Sequence, residues 1–476
     1  MAANPNSKKY QAVHLAAECY PIAKVGGLGD VAGALPKYLN AEGISTCIII
    51  PYYNQKWTQN NTTTIIYDGV VKSESYYKEF SIRAFPDQGL GFDVYFVDMP
   101  DMLFRDQVYG YEDDPLRFIF FQQAALVWLN SWKSKPELLH CHDHHTGLIP
   151  FMLQQCPVFD KLKSIKTIFT IHNGLYTGAF DWKLVNYLPL FYEERRGFLD
   201  WDNAINPLAT AIKCCHKFTT VSKGYLDELK QASNPLQWLF NEYQAKSIGI
   251  VNGIDAEVWD PKTDTALSLK LTGKWENFKD ENKRELCESV GLDHALPLVV
   301  FIGRLNTEKG GELLTQAIGR YTPQNSKMNF YILGSGANNI EDNIRQLTLK
   351  HKRNIANYIG YNENLAHQLY AAADFILMPS LVEPCGLNQL YAMRYATIPM
   401  VRSVGGLKDT VVDFGENGGY GIRFNDATVN DILHSFERAA ALFQNKVLLQ
   451  QLRKTCVALD FSWKTAIKKY INIYKN

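Results

Sequence analysis

The sequence has no excess of charge of either sign. Lysine plus arginine number 49, aspartate plus glutamate also number 49, and the formal net charge is zero. A protein that binds DNA or RNA through bulk positive charge needs a surplus of basic residues. The balance argues against a nucleic-acid partner, although it leaves room for a local basic site.

Long apolar segments and paired cysteines are also missing. No stretch approaches the roughly 20 apolar residues of a membrane helix, and the first 21 residues hold no sustained apolar run, so neither a membrane partner nor secretion is expected. The nine cysteines form no C-x-x-C pair, which is typical of reduced thiols in a cytoplasmic protein. No H-E-x-x-H motif occurs, and we expect no metal and no other cofactor.

The chain is long enough for two domains. Its 476 residues exceed what one hydrophobic core usually accommodates. Helical patterns at 113–133, 309–320 and 363–373 alternate with short apolar runs. These runs predict strands at 12–17, 46–50, 92–98, 138–143, 167–172, 217–222, 296–305, 329–336, 374–380 and 397–403. The alternation predicts an α/β fold with parallel sheets, whose ligands lie beyond the carboxyl ends of the strands.

The segment "YPIAKVGGLGDVAGALP" (20–36) places Lys24, Gly26, Gly27 and Asp30 between a strand and a helix. Glycine lets the backbone approach an oxyanion closely, and a helix N-terminus offers unbonded N–H groups, so the pattern indicates a phosphate site. The loose G-x-G-x-x-x-G within it is also compatible with a dinucleotide-binding turn or with a purely structural one. A similar phrase, "VGGLKDTV", returns at 404–411.

The second half contains its own cationic pair. Arg304 ends a predicted strand and Lys309 follows near a helix start, an arrangement that suits a diphosphate. An exposed loop with two solvated cations is the alternative. Glu383 follows the strand at 374–380 and is either a binding residue or a charge that caps the next helix.

Polar clusters also follow strands of the first half. "HCHDHH" (140–145) contains Asp143 and His144, "TIHNG" (170–174) contains His172 and Asn173, and Asn252 lies at the presumed hinge. The histidines suggest zinc, but the spacing of known zinc motifs is absent.

These motifs, in this order, resemble the bacterial glycogen synthase and plant starch synthase family of retaining glycosyltransferases. The phrases that carry the resemblance are "KVGGLGDVAGALP", "NGIDAEVWDP" and "EPCGLNQLYAMRY", and it spans about residues 11–470. It implies a GT-B architecture, in which two Rossmann-like domains with parallel sheets face an interdomain cleft. The implied division is 1–258 for the N-terminal domain, 259–456 for the nucleotide-sugar domain and 457–476 for a C-terminal helix that packs back on the first.

The resemblance also implies residue roles. Glucose would pass from a nucleotide-glucose, ADP-glucose being the expected donor, to the non-reducing end of an α-1,4-glucan. The implied catalytic residues are His172, Asp143, Arg304, Lys309 and Glu383. The implied donor site comprises Lys24, Gly26, Gly27, Asp30, Asn252, Arg304, Lys309, Tyr361, Cys385, Gly386, Leu387 and Asn388, with Tyr361 stacking on the nucleobase. The implied acceptor site comprises Asp143, His144, His172 and Asn173.

Three positions depart from the family pattern. His144 replaces an aromatic residue, Thr177 replaces glutamine, and Asn388 replaces threonine. They leave open a GT-B enzyme with another sugar or acceptor, and a glucan-binding relative without turnover. The paired cations argue against the latter, since glucan binding alone needs no diphosphate site. A dehydrogenase is disfavoured because no acidic residue ends the second strand.

Overall fold

The computed structural model describes residues 8–73, 76–85, 89–324 and 327–475. The chain divides into two compact units. Unit 1 comprises Met1–Val221, Leu226–Ile250 and Ala466–Asn476, and unit 2 comprises Ser222–Tyr225 and Val251–Thr465. The sequence-based boundary at 258 lies close to this division. None of the described helices is long and apolar enough to cross a membrane.

Unit 1 is built on a nine-stranded sheet, with a separate two-stranded ribbon. Its strands are β1 (Ala12–Leu15), β2 (Thr46–Pro51), β3 (Thr64–Lys72), β4 (Tyr77–Ala84), β5 (Asp93–Asp98), β6 (Leu138–His142), β7 (Lys166–Ile171), β8 (Asp200–Trp201), β9 (Ala204–Ile205), β10 (Lys217–Thr220) and β11 (Ser247–Gly249). The strand order in the large sheet is β11-β10-β7-β6-β1-β2-β5-β4-β3. Seven of these strands are parallel, and the sequence analysis predicted all of them except β11.

The edge of this sheet differs from the prediction. The sequence analysis did not predict strands β3 and β4, which pair antiparallel with each other, and β4 also pairs antiparallel with β5. Along β4, side chains alternate between the solvent face and the buried face. That alternation is typical of an antiparallel strand with one solvated face, whereas the predicted parallel strands are buried on both faces.

The helices of the first half are α1 (Gly27–Ala41), α2 (Lys56–Asn60), α3 (Asp114–Ser131), α4 (Ile149–Gln155), α5 (Pro207–Cys214), α6 (Lys223–Leu229) and α7 (Gln237–Glu242). The local sequence explains where α5 begins. Asn206 caps α5 by accepting from the N–H of Ala209 at 3.0 Å, and Pro207 occupies a first-turn position where no N–H is needed.

Unit 2 is built on a six-stranded, fully parallel sheet. Its strands are β12 (Leu298–Ile302), β13 (Asn329–Gly334), β14 (Ile355–Ile359), β15 (Phe375–Met378), β16 (Ile398–Arg402) and β17 (Ile422–Phe424). The order is β14-β13-β12-β15-β16-β17. Strands β14 and β17 were not predicted, because polar residues interrupt their short apolar runs.

The remaining helices are α8 (Trp275–Val290), α9 (Gly311–Gln324), α10 (Asn338–Lys350), α11 (Glu363–Ala372), α12 (Asn388–Arg394), α13 (Gly405–Thr410), α14 (Val429–Gln444), α15 (Lys446–Ala458) and α16 (Trp463–Lys475). Asn362 caps α11 and Thr428 caps α14. Helix α8 ends at Gly291, whose φ of +73° favours glycine. From Ala466 onward, α16 belongs to unit 1.

A buried ion cluster ties the start of β15 to two helices. Asp374 accepts hydrogen bonds from Lys283 and Arg453, each at 2.6 Å, and from the N–H of Leu298 at 2.9 Å. Burial alone would raise the pKa of Asp374, but the two cations outweigh burial and hold that pKa below its usual value. The three charged side chains are almost inaccessible.

Removing this carboxylate should destabilise unit 2. In the Asp374→Ala variant two buried cations would lose their counter-ion, and we expect the free energy of unfolding to fall by about 3–5 kcal/mol. Asp342→Ala removes an exposed partner of Arg345 in the same unit and should cost less than about 1 kcal/mol. Denaturant unfolding measures both, and equal small losses would contradict the assignment.

Candidate active site

Both sheets reverse their strand order at one place. In unit 1 the chain runs outward from β1 through β2 to one edge and then returns to β6 on the other side of β1. In unit 2 it runs from β12 to β14 and returns to β15, beside β12. Loops diverge at such reversals and leave a crevice beyond the carboxyl ends of the two strands. Most of the predicted site residues follow the strands at these two places, whereas His172 and Asn173 follow β7, Asn252 follows β11 and Tyr361 follows β14.

The glycine loop after β1 is held by Glu18, a residue that the sequence analysis missed. Its buried carboxylate accepts from the N–H groups of Val25 and Gly26 at 2.6 and 2.9 Å. The hydroxyl of Tyr109 donates to its other oxygen at 2.8 Å. The N–H of Gly26, a predicted donor-site residue, is therefore bonded internally, as is that of Val25. The N–H groups of Gly27 and Leu28, in the first turn of α1, are of the kind that a helix leaves without intrahelical partners.

The space available for a side chain differs among the glycines of this loop. A Cβ at Gly26 or Gly27 would meet no atom within 4 Å, so space next to both is open. A Cβ at Gly33 would lie 2.3 Å from the carbonyl oxygen of Tyr20, and one at Gly29 would lie 3.1 Å from Glu18. Gly29 and Gly33, the second and third glycines of the apparent dinucleotide motif, therefore have their side-chain space filled by other parts of the protein.

Lys24 and Asp30 form an ion pair on this loop. Nζ of Lys24 lies 2.7 Å from Oδ1 of Asp30, and both side chains are partly exposed. The ammonium group also lies 5.3 Å from the ring centre of Tyr20. Both predicted donor residues are thus adjacent and near the solvent, at the open side of the glycine loop.

Asp143 joins the ends of β6 and β7. Its carboxylate accepts from the main-chain N–H groups of His172 and Asn173 at 2.7 and 3.5 Å. Its own φ of +56° is unusual for a residue other than glycine. Burial raises the pKa of Asp143 to about 7, against the opposing effect of the two N–H donors. Burial also lowers the pKa of His172 to about 3, so this imidazole is neutral at physiological pH.

His144 is packed against protein on one side. Its ring centre lies 3.7 Å from that of His145, and a Cβ at Gly178 would lie 2.4 Å from the His144 ring. The ring hydrogen-bonds the backbone of Tyr176, while burial lowers its pKa to about 4. His144 is half-buried and only partly available to a ligand.

The histidines of "HCHDHH" do not form one cluster. His140 and His142 alternate along β6 and lie beside His14 of β1, whereas His144 and His145 follow in a separate turn. One ligand atom from each of His14, His140 and His142 lies within 4.8 Å of the others. Sequence spacing did not reveal this cluster, because His14 comes from a different strand.

In unit 2, Lys309 and Glu383 meet at the reversal between β12 and β15. Nζ of Lys309 donates to both carboxylate oxygens of Glu383, at 2.6 and 2.7 Å, and Oγ of Ser380 donates to one of them at 2.9 Å. Glu383 is buried. It therefore does not cap the following helix, which begins at Asn388, and Lys309 is not a solvated loop cation.

Arg304 lies in the same loop as Lys309 but is more accessible. Its side chain is 51% exposed, and its guanidinium forms a long ion pair with Glu308 at 3.5 Å. The preceding Gly303 has a φ of +151°, and a Cβ at Gly334 would lie 1.9 Å from the Gly303 carbonyl oxygen. The glycine backbones are closely packed at the ends of β12 and β13. The guanidinium of Arg304, which follows β12, is exposed to solvent.

The two loops of unit 2 are also bonded to each other. The N–H of Leu381 donates to the carbonyl of Glu308 at 2.8 Å, and Nδ2 of Asn388 donates to the carbonyl of Ile302 at 2.6 Å. Gly386 has a φ of +73°. Asn388, which replaces the family threonine, therefore fastens the helix α12 to the end of β12.

The remaining predicted donor residues lie in three environments. Burial raises the pKa of the Cys385 thiol to about 12, and the backbone of Asn252 hydrogen-bonds it. The buried Oδ1 of Asn252 has no hydrogen-bond partner among the described residues. Leu387 precedes α12. Tyr361 is 74% exposed and donates to Glu363 at 3.0 Å, so its ring is accessible for stacking.

Two sheets of parallel strands with helical crossovers, each carrying charged groups at its strand-order reversal, define a GT-B glycosyltransferase. Residues 11–242 match the family model described as starch synthase catalytic domain, and residues 282–439 match that of glycosyl transferases group 1. The chain belongs to the family of bacterial glycogen synthases and plant starch synthases and is a glucosyltransferase of that family.

Individual relatives cover nearly all of the chain. A glycogen synthase of Flavobacterium johnsoniae is 46% identical over 465 residues, which are 97% of this chain and 98% of the relative. A glycogen synthase of Bacillus cereus is 34% identical, over 96% and 98%. The catalytic domain of starch synthase IV from Arabidopsis thaliana, bound to ADP and acarbose, matches with a TM-score of 0.86 and 30% identity, over 98% and 99%. Sucrose-phosphate synthase from Thermosynechococcus elongatus shares the fold, at a TM-score of 0.63 and 14% identity.

The pKa of Asp143 gives a prediction about stability. Below about pH 4 the carboxyl is protonated in both the folded and the unfolded chain, whereas between pH 4 and 7 only the unfolded chain loses the proton. The folded state therefore loses stability as pH rises through this window, by up to about 4 kcal/mol. Asparagine retains an oxygen that accepts the same N–H groups and does not titrate.

The melting temperature of Asp143→Asn should therefore rise relative to wild type from pH 4 to 7 and level off above 7. Thermal unfolding across this range measures the difference. A constant difference between the two proteins would show that Asp143 does not titrate there.

Proposed function

We propose that this chain transfers glucose from ADP-glucose to the non-reducing end of an α-1,4-glucan, with retention at the anomeric carbon. The observation that carries the proposal is the group of Arg304, Lys309 and Glu383 at the strand-order reversal of unit 2. It combines two cations for a diphosphate with a carboxylate for sugar hydroxyls. The ADP and acarbose bound to the Arabidopsis relative support this choice of donor and of glucan acceptor.

The donor is assigned mainly to unit 2. Arg304 and Lys309 would neutralise the diphosphate, Tyr361 would stack on the adenine, and Glu383 would accept hydrogen bonds from the glucose. In this proposal the diphosphate competes with Glu383 for Lys309. From unit 1, Lys24 would add a cation, and the helix start at Gly27 would add N–H donors.

The transferred glucose and the acceptor are assigned to unit 1. His172 would hydrogen-bond the glucose, Asp143 would hold the His172 backbone in place, and His144 and Asn173 would contact the acceptor. Because Asp143 is buried, accepts two backbone N–H groups and has a pKa near 7, it is poorly suited to be a covalent nucleophile.

Retention then favours attack from the face of the leaving group. The bond between the anomeric carbon and the diphosphate oxygen breaks, and the acceptor hydroxyl oxygen forms the new bond to the same carbon. The hydroxyl proton passes to the departing diphosphate. Arg304 and Lys309 stabilise the negative charge that develops on that group, which is the electrostatic term expected to dominate.

We propose further that the reaction needs no metal ion and takes place in the cytoplasm. Protein cations supply the charge that a divalent ion supplies in many other diphosphate sites. The nine cysteines are buried free thiols, as expected in a reducing compartment.

Release of nucleoside diphosphate tests the proposal. We expect ADP release from ADP-glucose in the presence of glycogen or maltodextrin, much slower release without acceptor, and much slower release from UDP-glucose. Activity should persist in excess EDTA. Equal rates with and without glucan, a preference for another sugar nucleotide, or loss of activity on chelation would each contradict a part of the assignment.

Arg304 gives the sharpest mutational test. Arg304→Ala removes an exposed side chain with little structural role, so folding should be unaffected while kcat falls about 10²-fold through lost charge stabilisation. Arg345→Ala is the matched control, because Arg345 is 47% exposed and also forms an i,i+4 pair with a glutamate. The control should retain full activity, and an Arg304→Ala enzyme as active as the control would refute the diphosphate role.

A further inference from the structure

A chain of hydrogen bonds links His172 to the helix α16 within unit 1. Nε2 of His172 lies 3.0 Å from Nδ1 of His142, and Nε2 of His142 lies 3.2 Å from Nδ1 of His14. Nε2 of His14 lies 3.4 Å from the hydroxyl of Tyr474, which also lies 2.6 Å from Nδ1 of His140. We refer to these five side chains as the histidine chain.

The four rings of the histidine chain are neutral. Burial lowers the pKa of His14 and of His172 to about 3, and it holds the pKa of His140 and of His142 well below the usual value. A neutral imidazole has one N–H donor and one lone pair. The hydrogen bonds from Tyr474 to His172 must therefore all point the same way, so that the hydroxyl at one end determines the tautomer at the other.

The distances around Tyr474 indicate that direction. The Tyr474 hydroxyl has one proton and two ring-nitrogen neighbours, at 2.6 and 3.4 Å, and it donates to the nearer one, Nδ1 of His140. Neutral His140 then carries its proton on Nε2, which donates to Oγ1 of Thr170 at 2.7 Å. The Tyr474 oxygen accepts the longer bond, at 3.4 Å, from Nε2–H of His14.

The same donor-to-acceptor direction holds along the rest of the histidine chain. With its proton on Nε2, His14 accepts at Nδ1 from Nε2–H of His142, which in turn accepts at Nδ1 from Nε2–H of His172. The second nitrogen of His172, Nδ1, keeps its lone pair, and in the described part of the chain the hydrogen bonds of His172 are made by Nε2 and the main-chain N–H. It is thus an acceptor.

We propose that Tyr474, acting through His14 and His142, is a positioning residue that fixes the tautomer of His172, so that Nδ1 of His172 accepts a hydrogen bond from a hydroxyl of the transferred glucose. The inference rests on the proposed function, which places His172 at that sugar. Tyr474, in helix α16, would thus affect the reaction without contacting the substrate.

A metal held by His14, His140 and His142 is the competing interpretation of the same cluster. The rings of His140 and His142 are stacked, with centres 4.3 Å apart and planes inclined by 22°. Ring lone pairs point along the ring planes, so stacked rings do not direct them at one ion. The ring nitrogens are moreover already engaged in the hydrogen bonds described above.

Tyr474→Phe tests the proposal in the full-length protein. Without the hydroxyl, an N–H at Nε2 of His14 would be buried without an acceptor, which is costlier than a buried lone pair without a donor. The proton should move to Nδ1 of His14, the chain should reverse, and His172 should carry its proton on Nδ1. Tyr470→Phe is the matched control, one turn earlier on α16 and outside the histidine chain.

Two measurements report the outcome. Ring ¹⁵N chemical shifts of histidine-labelled protein identify the tautomer of His172, assigned through a His172→Gln spectrum. Steady-state kinetics with ADP-glucose and maltodextrin should give a kcat about tenfold lower for Tyr474→Phe, as expected for the loss of one hydrogen bond. The KM for the donor should change less than about twofold, and Tyr470→Phe should match wild type in both measurements.

Several results would overturn the proposal. An unchanged His172 tautomer in Tyr474→Phe would refute the coupling, and so would stoichiometric metal in the wild-type protein. A reversed tautomer with unchanged kcat would refute the role at the sugar, while ADP release by the wild type would leave the proposed function intact. Absence of ADP release by the wild type would instead refute the proposed function, and with it the role of His172 at the sugar.

Discussion

The reversal of strand order in each sheet is the constraint on which the site depends. Right-handed crossovers that add strands on one side of a starting strand cover one face of the sheet with helices, and when the chain returns to the other side of that strand they cover the opposite face. In both units that return sets two loops apart at the carboxyl ends of neighbouring strands. Glu18 and Asp143 lie at the first reversal, and Lys309 and Glu383 lie at the second. Much of the proposed chemistry therefore lies at places that the fold leaves uncovered.

The sequence predicted ten of the thirteen parallel strands described, because a strand buried on both faces is a continuous apolar run. It did not predict the short parallel strands β11, β14 and β17, nor the mostly exposed β3 and the alternating β4, whose polar residues give a weaker signal. The groups after each strand, such as Asp143 and Arg304, were predicted because polar residues directly after an apolar run are conspicuous. The residues that bond to such polar groups were not predicted, because a contact such as the hydrogen bond from Ser380 to Glu383 depends on loop geometry.

The histidine cluster shows the same limit of prediction from sequence. His140 and His142 are two residues apart, and their common face follows from the period of a strand. His14 lies more than a hundred residues away, and its neighbours are determined by strand order and register, which a single sequence does not reveal. Glu18 is similar, since its two bonds to the glycine loop require the chain to turn back within a few residues.

The carboxylate of Glu18 has a consequence for how the glycine loop meets a ligand. A loop rich in glycine has many accessible backbone conformations, and ordering it on binding would reduce affinity. Here two N–H groups are already bonded to an internal anion, so the conformational entropy of the loop is lost during folding and not during binding. In the proposed function, a diphosphate that reaches this loop would meet a surface whose shape is already set, and the favourable energy of its contacts would be retained as affinity.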